Sequence, residues 1–416
     1  MDSCSMILGV PGSKSILQRL LVLLAHSKGE LCIHNYNACD DVLELEQALT
    51  VYGFRLQHRG STAHFRFSEE LHQQSEHQYR FTASATAYRL WLALLANLPG
   101  KSSQIHASET LFHRGISPLC EALNSLGAEI RMDGTSLHIT GTILQGNEVA
   151  IQTGLSSQYA SSLMLAAPFM QDSLSLKPDA RLVSAPYLKL SAEMLRSFGA
   201  KVDLNDDHIR VQRASFTLPD EFAVDSDLST AAYLALRAVL GDQVQELRLF
   251  LHPEYHQPDM AIWGILQEMG AKIEIAGNVY RIHPSALQGI SLDLSDNPDL
   301  MPVLSIAALF CSSPSHFSGI GRLIHKESNR ILGISKALDL LGAQYQLEYD
   351  SISIMPLVTR VPACTLDTQQ DHRLVMAFSL IGMRYPQVKL SDVNSLGKSV
   401  PCAKSHNISC VGNDLA

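Results

Sequence analysis

A short signature recurs five times along the chain: the apolar end of a predicted helix, then a glycine, then a predicted strand. It reads Tyr52-Gly53-Phe54, Leu126-Gly127-Ala128, Phe198-Gly199-Ala200, Met269-Gly270-Ala271 and Leu341-Gly342-Ala343. By subtraction of their numbers, the glycines are 74, 72, 71 and 72 residues apart. Glycine ends a helix readily because it adopts left-handed backbone angles without a Cβ clash. The near-constant interval predicts one structural unit copied along the chain.

Each copy is predicted to contain two helices, of which the first is the more apolar. The first helices cover residues 15–26, 86–97, 158–170, 229–240, 300–311 and 373–382, and the second cover 41–51, 115–126, 187–198, 258–269 and 327–341. Alternating apolar and polar residues predict strands after the helix pairs, over 136–140, 208–212, 279–283 and 351–355. The sixth copy lacks a clear second helix. Since 416 residues are too many for one simple core, the six units divide into two domains of three, with a boundary near residues 222–225.

The charge balance limits the partners that such a chain can bind. It has 32 Lys and Arg residues against 41 Asp and Glu residues, a net charge of −9, which argues against a general binder of nucleic acid or membrane surfaces. No apolar stretch is as long as a membrane span. The 8 cysteines form no CxxC pair and the 17 histidines no HExxH motif, so no metal site is expected. The start of the sequence shows no basic segment followed by an apolar run, and reduced thiols fit a cytoplasmic protein.

Five cations stand at or near predicted helix starts: Lys14, Arg114, Arg330, Arg373 and Lys398. A helix N-terminus carries partial positive charge and unpaired N–H groups, so it suits anions, and a cation there opposes the dipole. Serine and aspartate at the same places are also accounted for by helix capping, and this alternative stays open for each of them. Capping does not account for the cations. The pattern therefore predicts an anionic ligand that is held by locally gathered positive charge.

The strongest motif is Pro11-Gly12-Ser13-Lys14-Ser15-Ile16-Leu17-Gln18-Arg19. A nucleotide-binding P-loop needs Gly directly before Lys, and Ser13 holds that place, so this interpretation fails. Ser15 and Arg19 are four residues apart and share a helix face beside Lys14. The segment is very similar to the opening motif of the 5-enolpyruvylshikimate-3-phosphate (EPSP) synthase family, in which Lys, Ser and Arg bind substrate phosphate and carboxylate.

Further segments resemble motifs of the same family in the same order. They are residues 37–41, 155–159, 183–187, 298–299, 326–330, 370–377 and 397–399. The resemblance implies an α/β (α+β) fold, a two-domain inside-out barrel built from six βαβαββ repeats, as in enolpyruvyl transferases. The implied N-terminal domain, residues 13–224, serves shikimate 3-phosphate. The C-terminal domain combines residues 1–12 with 225–416 and serves phosphoenolpyruvate, so the active site would lie in the interdomain cleft.

The resemblance also implies the reaction. The carboxyvinyl group of phosphoenolpyruvate moves to the 5-hydroxyl of shikimate 3-phosphate and phosphate is released, a step of the shikimate pathway to chorismate and the aromatic amino acids. Addition is followed by elimination, without a metal or an organic cofactor. Two polyanions must lie side by side, so cations must separate them. Both an acid and a base must face the reacting atoms. The expected partners are the two small-molecule substrates, with no nucleic acid or membrane, and a monomer is expected.

The family motifs carry residue roles over to this chain. Asp299 is the expected base for the hydroxyl proton, Glu327 the expected acid for the methylene carbon, and Lys14 would contact both substrates. Shikimate 3-phosphate would be bound by Lys14, Ser15, Arg19, Ser156, Ser157, Gln158, Ser184, Tyr187, Asp299 and Lys326. Phosphoenolpyruvate would be bound by Lys14, Ala85, Arg114, Gln158, Arg330, Arg373 and Lys398. Lys326, Glu327 and Arg330 would reach one cleft from a single helix because they are three and four residues apart.

Two other functions stay open. The related enzyme that adds enolpyruvyl to UDP-N-acetylglucosamine shares the fold, but its opening motif has Lys-Asn where this chain has Lys14-Ser15. It also uses a cysteine in a mobile loop, whereas the nearest cysteine here, Cys120, lies in an apolar helical stretch that favours a core thiol. A non-catalytic anion-binding relative would be expected to lose Asp299 or Glu327, and both are present.

The segment from Phe81 to Arg89 departs from the family's Gly-Asn-Ala-Gly-Thr-Ala-x-Arg pattern. Ala83 replaces Asn, and Ala85 replaces the Gly that lies against phosphoenolpyruvate. A methyl group in a tight anion pocket excludes a longer ligand more strongly than a shorter one.

Glyphosate, which is longer than phosphoenolpyruvate, is therefore expected to inhibit this protein weakly. The measurement is the inhibition constant against varied phosphoenolpyruvate in a phosphate-release assay. Submicromolar inhibition that is competitive with phosphoenolpyruvate would contradict the expectation.

Overall fold

The computed structural model describes residues 7–73, 76–154, 156–179, 185–205, 208–213, 216–358 and 360–400. Its backbone contacts divide the chain into two compact units. The N-terminal unit contains Gly12–Asp225 and His252–Gln257, and the C-terminal unit contains residues 7–11, Ser226–Leu251 and the described residues from 258 onward.

Each unit contains apolar helices that are buried along most of their length. In the N-terminal unit the helices are α1 (Lys14–Ser27), α2 (Asp40–Tyr52), α3 (Glu69–His72), α4 (Ala85–Ala96), α5 (Glu109–His113), α6 (Ser117–Ser125), α7 (Ser157–Ala166) and α8 (Ala185–Ser197). In the C-terminal unit they are α9 (Leu228–Leu240), α10 (Ala261–Glu268), α11 (Met301–Leu309), α12 (Arg330–Leu341) and α13 (His372–Arg384). Short 3-10 helices cover Ala167–Phe169, Pro258–Met260, Pro298–Leu300, Gly321–His325 and Asn394–Lys398. Across the described ranges, no helix combines the length and apolar character that crossing a membrane requires.

The strands are short, and they lie both between the two helices of a repeat and after the second helix. In chain order they are β1 (Ile7–Gly9), β2 (Glu30–His34), β3 (Phe54–Arg59), β4 (Thr62–Phe67), β5 (Glu76–Phe81), β6 (Ser102–Ala107), β7 (Glu129–Asp133), β8 (Ser136–Thr140), β9 (Glu148–Ile151), β10 (Leu174–Pro178) and β11 (Val202–Leu204). The remaining strands are β12 (Ile209–Val211), β13 (Glu221–Ala223), β14 (Gln245–Arg248), β15 (Ile273–Ala276), β16 (Val279–Ile282), β17 (Ser291–Asp293), β18 (Ser315–Ser318), β19 (Tyr345–Leu347), β20 (Ser351–Ile354), β21 (Cys364–Leu366) and β22 (Val388–Leu390).

The sheets repeat one topology, in which a parallel pair is extended by two antiparallel strands. In the N-terminal unit the orders are β13-β2-β4-β3, β5-β6-β8-β7 and β9-β10-β12-β11. In the C-terminal unit they are β1-β14-β16-β15 and β17-β18-β20-β19, with β21-β22 as a parallel pair. The first sheet of each unit is completed by a strand from far along the chain. Phe222 of β13 pairs with Ile33, and Leu8 of β1 pairs with Leu247.

The inner layer of each unit consists of the first helices of its repeats. In the N-terminal unit α4 packs against α1 and α7, and in the C-terminal unit α9, α11 and α13 pack against one another. These helices are buried on nearly every side, which explains why their sequences are apolar all round. Buried polar residues stand at several of their N-terminal ends, where the side chains of Ser84, Asp227 and Asp371 cap the helices by accepting hydrogen bonds from backbone N–H groups.

The five signature glycines all end helices as predicted. Gly53, Gly127, Gly199, Gly270 and Gly342 have φ angles of 123°, 103°, 97°, 99° and 71°, in the region that disfavours a side chain. The prediction of a helix over residues 327–341 is wrong at its start, since α12 begins at Arg330 after a loop. The helix predicted from residue 115 begins at Ser117, because Gly115 has a φ of 83° and interrupts the helical path.

Asp225 is a buried carboxyl at the point where the chain leaves the N-terminal unit. It is 0% exposed, and its Oδ2 accepts a hydrogen bond from the backbone N–H of His252 at 3.1 Å. Burial raises the pKa of Asp225 from 3.8 to about 7. Because the folded state holds a proton that the unfolded chain releases, the free energy of unfolding falls as the pH rises through this interval.

Replacing Asp225 with Asn should therefore stabilise the protein above pH 7 and have little effect near pH 4. The amide keeps an acceptor for the His252 N–H and carries no charge, so the gain at pH 8 should be roughly 2–4 kcal/mol. Urea unfolding at pH 4, 6 and 8 measures it, with the exposed Asp220→Asn as control. An equal loss of stability at all three pH values would show that the carboxyl contributes through its geometry rather than its proton.

Candidate active site

The first group of candidate residues lies in the N-terminal unit, where α1 begins. Lys14 is the first residue of the helix and Ser15 is the second. Lys14 Nζ lies 2.9 Å from Oδ2 of Asp41, whose carboxylate is buried in the first turn of α2. Gln18 joins the same corner, because its Nε2 donates to the Asp41 carbonyl oxygen at 3.2 Å. A lysine at a helix N-terminus is therefore compensated by a carboxylate of the neighbouring helix.

Arg19 is buried one turn further along α1 and joins this helix to α8. Its Nε donates to Ser191 Oγ at 2.8 Å, its Nη1 to the Ser15 carbonyl at 2.8 Å and its Nη2 to the Tyr187 carbonyl at 3.3 Å. Burial lowers the pKa of Arg19 to about 10, and it remains a cation at neutral pH. The guanidinium thus places Ser15 and Tyr187, two predicted binding residues, on either side of one positive charge.

Gln158 and Ser156 meet at the start of α7. Ser156 is the N-cap, and its Oγ accepts from the Gln158 N–H at 3.3 Å. The Gln158 side chain is fixed at both ends, since its Nε2 donates to Thr86 Oγ1 at 2.8 Å and its Oε1 accepts from Arg89 Nη1 at 2.6 Å. Gln158 therefore has a defined orientation set by α4. Ser157 is buried beside it in the first turn of α7.

Arg89 is a buried arginine whose role the sequence did not indicate. Its Nη2 donates to the carbonyl oxygens of Arg114 and Gly115 at 2.7 and 2.9 Å, and its guanidinium lies 4.8 Å from the ring centroid of Tyr159. Arg89 is 4% exposed and fixes the loop that carries Arg114. The arginine that ends the 81–89 segment was visible in the sequence, but nothing there indicated that it binds backbone carbonyls rather than a ligand.

Other predicted residues of this unit have clear positions. Arg114 is the C-cap of α5 and lies near the start of α6 at Ser117, but it is not in the first turn of that helix. The reason is the left-handed Gly115, which delays α6 until Ser117. Ala85 is buried as the first residue of α4. Ser184 lies outside the described residues.

The second group lies in the C-terminal unit around the buried carboxylate of Asp299. Oδ1 accepts from Arg330 Nη1 at 2.7 Å and lies 3.3 Å from Lys326 Nζ, and Oδ2 lies 3.3 Å from Arg373 Nη2. Four of the predicted site residues therefore form one cluster. Asp299 is in the 3-10 turn that precedes α11, where Pro298 starts the turn.

The charges around Asp299 determine its protonation. Burial raises the pKa of Asp299, but the positive charges of Arg373, Lys326 and Arg330 outweigh it and hold the pKa well below its usual range. Burial lowers the pKa of Lys326, and Asp299 partly offsets that effect. Asp299 is thus ionised at every pH near neutrality.

Glu327 is linked to the same cluster through Arg330. Its Oε2 accepts from Arg330 Nη2 at 2.7 Å and lies 3.3 Å from Nδ1 of the buried His372. Lys326 and Glu327 belong to the loop before α12 and not to that helix, so the prediction of helical spacing is wrong although the side chains do meet. Lys326 is the C-cap of the preceding 3-10 helix. Its backbone angles are extended (φ −81°, ψ −157°), so the chain leaves the helical path there.

Two buried carboxylates support the arginines of this cluster, and the sequence analysis did not assign them. Asp371 accepts from Arg330 Nε at 2.8 Å and from the Arg373 N–H at 2.9 Å. Asp259 lies 4.0 Å from Arg373 Nη1 and accepts a hydrogen bond from Ser229 Oγ. Burial raises the pKa of Asp259 to about 6, against the lowering effect of Arg373. Asp371 lies in the motif of residues 370–377 and Asp259 in the predicted helix of residues 258–269, and only their contacts reveal the role of each acid.

Glu327, Asp371 and His372 offer three possible metal-ligand atoms within 4.8 Å of one another. The Arg330 guanidinium already binds both carboxylates, at 2.7 Å and 2.8 Å. A metal ion at this place would be repelled by the buried positive charge of Arg330. Glu327 and Asp371 are therefore better explained as the carboxylate partners of this arginine.

Lys398 is placed differently from its prediction. It is the last residue of the 3-10 helix Asn394–Lys398 and not the first of a helix, and its Nζ donates to the Gln370 carbonyl at 3.4 Å. Gln369 and Gln370 have φ angles of 49° and 55°, so the turn before α13 presents this carbonyl to the lysine.

Cys120 is a core thiol, as its sequence surroundings favoured. It is buried in α6, and burial raises its pKa to about 12. A thiol that resists ionisation in this way is a poor nucleophile or proton donor.

Comparisons with known proteins agree on one family. A family model described as EPSP synthase (3-phosphoshikimate 1-carboxyvinyltransferase) matches residues 3–405. A relative of that name from Dehalococcoides mccartyi is 31% identical over 397 residues, which cover 95% of this chain and 93% of the relative. A second, from Marinomonas sp., is 29% identical over 404 residues, covering 94% and 93%.

Solved structures share the fold. An EPSP synthase from Acinetobacter baumannii superposes with a TM-score of 0.78 at 22% identity, covering 95% of this chain and 93% of its own. The enolpyruvyl transferase NikO from Streptomyces tendae superposes with a TM-score of 0.74 at 14% identity, covering 98% and 94%. At these identities the likeness establishes the fold alone.

The position of Arg89 leads to a prediction about stability. Arg89→Lys should lower the free energy of unfolding by about 2–4 kcal/mol, because one ammonium cannot replace the guanidinium at both loop carbonyls and at Gln158. Urea unfolding measures this, with the exposed Arg131→Lys as control, for which a change within about 0.5 kcal/mol is expected. Unchanged stability in the Arg89 variant would mean that the loop before α6 is held by other contacts.

Proposed function

The chain belongs to the EPSP synthase family, and from this premise we propose how its charged residues carry out the family reaction. The protein transfers the enolpyruvyl group of phosphoenolpyruvate to the 5-hydroxyl of shikimate 3-phosphate and releases phosphate, as a step of the shikimate pathway. The observation that carries the residue assignment is that Arg330 binds two carboxylates, Asp299 and Glu327, at 2.7 Å each.

Two carboxylates held by one guanidinium provide the acid and the base that the addition step requires. Asp299 takes the proton of the 5-hydroxyl as the oxygen attacks C2 of phosphoenolpyruvate, and protonated Glu327 delivers a proton to C3. In the elimination step the new methyl group returns a proton to Glu327, the bond from C2 to the phosphate oxygen breaks, and phosphate leaves with the proton that Asp299 took from the hydroxyl. The net change is transfer of the group without any redox step.

For Asp299 to act as the base, its low pKa must rise when the substrates bind. A carboxylate with a low pKa is a weak base. Bound phosphate and carboxylate groups bring negative charge close to Arg330, Arg373 and Lys326, which then interact less with Asp299. The pKa of Asp299 should therefore rise when the substrates bind, and the base becomes effective only in the complex.

The N-terminal unit supplies groups suited to shikimate 3-phosphate. The proposed set is Lys14, Ser15, Arg19, Ser156, Ser157, Gln158, Ser184 and Tyr187, joined by Asp299 and Lys326 of the C-terminal unit. Arg19 uses three of its five N–H donors on Ser191 Oγ and on the carbonyl oxygens of Ser15 and Tyr187, so it can hold the backbone of Ser15 and still bind an anion.

Phosphoenolpyruvate is proposed to bind Lys14, Ala85, Arg114, Gln158, Arg330, Arg373 and Lys398. Guanidinium groups match the paired oxygens of carboxylate and phosphate, which supports the arginines in this set. The assignment means that residues of 13–224 and of 225–416 serve one pair of substrates.

We also propose that the protein acts as a cytoplasmic monomer, which sedimentation and cell fractionation would test.

One assay tests the activity itself. Phosphate release from phosphoenolpyruvate is measured with shikimate 3-phosphate and, in parallel, with UDP-N-acetylglucosamine. Release is expected with the first acceptor only. Release with the second acceptor alone would assign the chain to the sister reaction, and release with neither would fit a non-catalytic relative.

Asp299→Asn tests the proposed base. Ligand binding should remain nearly intact, because an amide oxygen can still accept from Arg330, while turnover should fall by roughly two orders of magnitude or more. Calorimetry with each substrate and the phosphate-release rate measure the two effects. The exposed Asp296→Asn is the matched control, and near-normal turnover in the Asp299 variant would remove this residue from the mechanism.

A further inference from the structure

Glu44 lies on α2, and its carboxylate binds the loop that leads into α4. Its Oε1 accepts from the Thr82 N–H at 2.8 Å, from Thr82 Oγ1 at 2.5 Å and from the Ala83 N–H at 3.0 Å. Its Oε2 accepts from the Ser84 N–H at 3.0 Å. Three consecutive backbone N–H groups therefore point to a single side chain.

This loop determines where α4 begins. Ser84 is the N-cap, and its Oγ accepts from the Ala87 N–H at 3.3 Å and from Gln18 Nε2 at 2.8 Å. Ala85 follows as the first residue of the helix. Thr86, the next residue, binds Gln158 at 2.8 Å. A displacement of the loop would therefore move Ala85 and release one of the two contacts that orient Gln158.

A run of backbone N–H groups ahead of a helix is also a favourable place for an anion. Glu44 occupies these groups with a negative charge that belongs to the chain. A substrate phosphate that approached the same three N–H groups would be repelled by the carboxylate. The loop thus offers its own N–H groups to Glu44 and leaves substrate anions to the first turn of α4 and to nearby cations.

The sequence of the loop explains why an outside acceptor is needed. Ala83 stands where the EPSP synthase pattern has Asn, so the middle of this loop has no polar side chain of its own. A methyl group cannot hold backbone N–H groups in place. Glu44 supplies the missing acceptors from the neighbouring helix.

We propose that Glu44 is a positioning residue for phosphoenolpyruvate, which acts by fixing the loop 82–84 so that Ala85 and Gln158 face the substrate anion. It acts through the loop and does not touch the substrate. The proposal rests on the proposed function, because it assumes that Ala85 and Gln158 contact phosphoenolpyruvate.

Two variants test the proposal in the full-length protein. Glu44→Ala removes every acceptor, and Glu44→Gln keeps one oxygen but turns an NH₂ group toward the Ser84 N–H. The KM for phosphoenolpyruvate should rise about tenfold or more in the first and by about threefold in the second. Gln158 is also proposed to bind shikimate 3-phosphate, but it keeps its hydrogen bond from Arg89 at 2.6 Å. The KM for shikimate 3-phosphate and kcat should therefore stay within about twofold. Glu70→Ala, which removes an exposed carboxylate from the same unit, should leave all three constants unchanged.

A merely structural role would give a different result. In that case both KM values and kcat would change together with the midpoint of urea unfolding, and the graded effect of Ala and Gln on phosphoenolpyruvate alone would be missing. Unchanged KM for phosphoenolpyruvate in Glu44→Ala would also overturn the proposal. Failure of the proposed function is distinguishable, since the unaltered protein would then release no phosphate with shikimate 3-phosphate.

Discussion

Three carboxylates of the C-terminal unit share one buried positive charge, and this sharing fixes how the charged groups of the cluster are arranged. Arg330 is 1% exposed, and its guanidinium contacts Asp299, Glu327 and Asp371 at 2.7–2.8 Å. A buried ion is costly unless its donors are satisfied, and a guanidinium can satisfy several carboxylates at once through its fixed fork. Arg373 and Lys326 reduce the excess of negative charge. Three carboxylates and three cations therefore form one cluster whose charges balance.

The arginines of the N-terminal unit use the same donor geometry for a different purpose. Arg89 binds two loop carbonyls and Gln158, and Arg19 binds one hydroxyl and two carbonyls. These groups hold the backbone that presents Ser15, Arg114 and Gln158. Replacing either guanidinium would leave buried acceptors without a partner, so the substitution would disturb the backbone around it.

The predictability of each feature follows from the range of the interactions that determine it. The repeat glycines were predicted correctly because a helix end is a local event that depends on one residue's backbone freedom. The start of α12 was predicted wrongly, because long-range contacts shape the loop from Lys326 to Asn329. In this loop Ser328 contacts Asp371 and Glu327 contacts His372, and both partners are more than forty positions away along the chain. The roles of Arg89 and Asp371 could not be predicted, because the sequence does not reveal whether a charged side chain contacts a ligand or another group of the protein.

The sequence by itself determined the repeat frame, the apolar inner helices and the family, because periodicity, helix ends and ordered motifs are written in adjacent residues. Only the tertiary structure decided how the charges are paired. Lys14 faces Asp41 and Arg330 faces Asp299, Glu327 and Asp371. It also decided that the loop before α4 is held by Glu44, 38 positions away from Thr82. Coulomb energies and hydrogen bonds depend on distances in space, and packing alone brings such residues together.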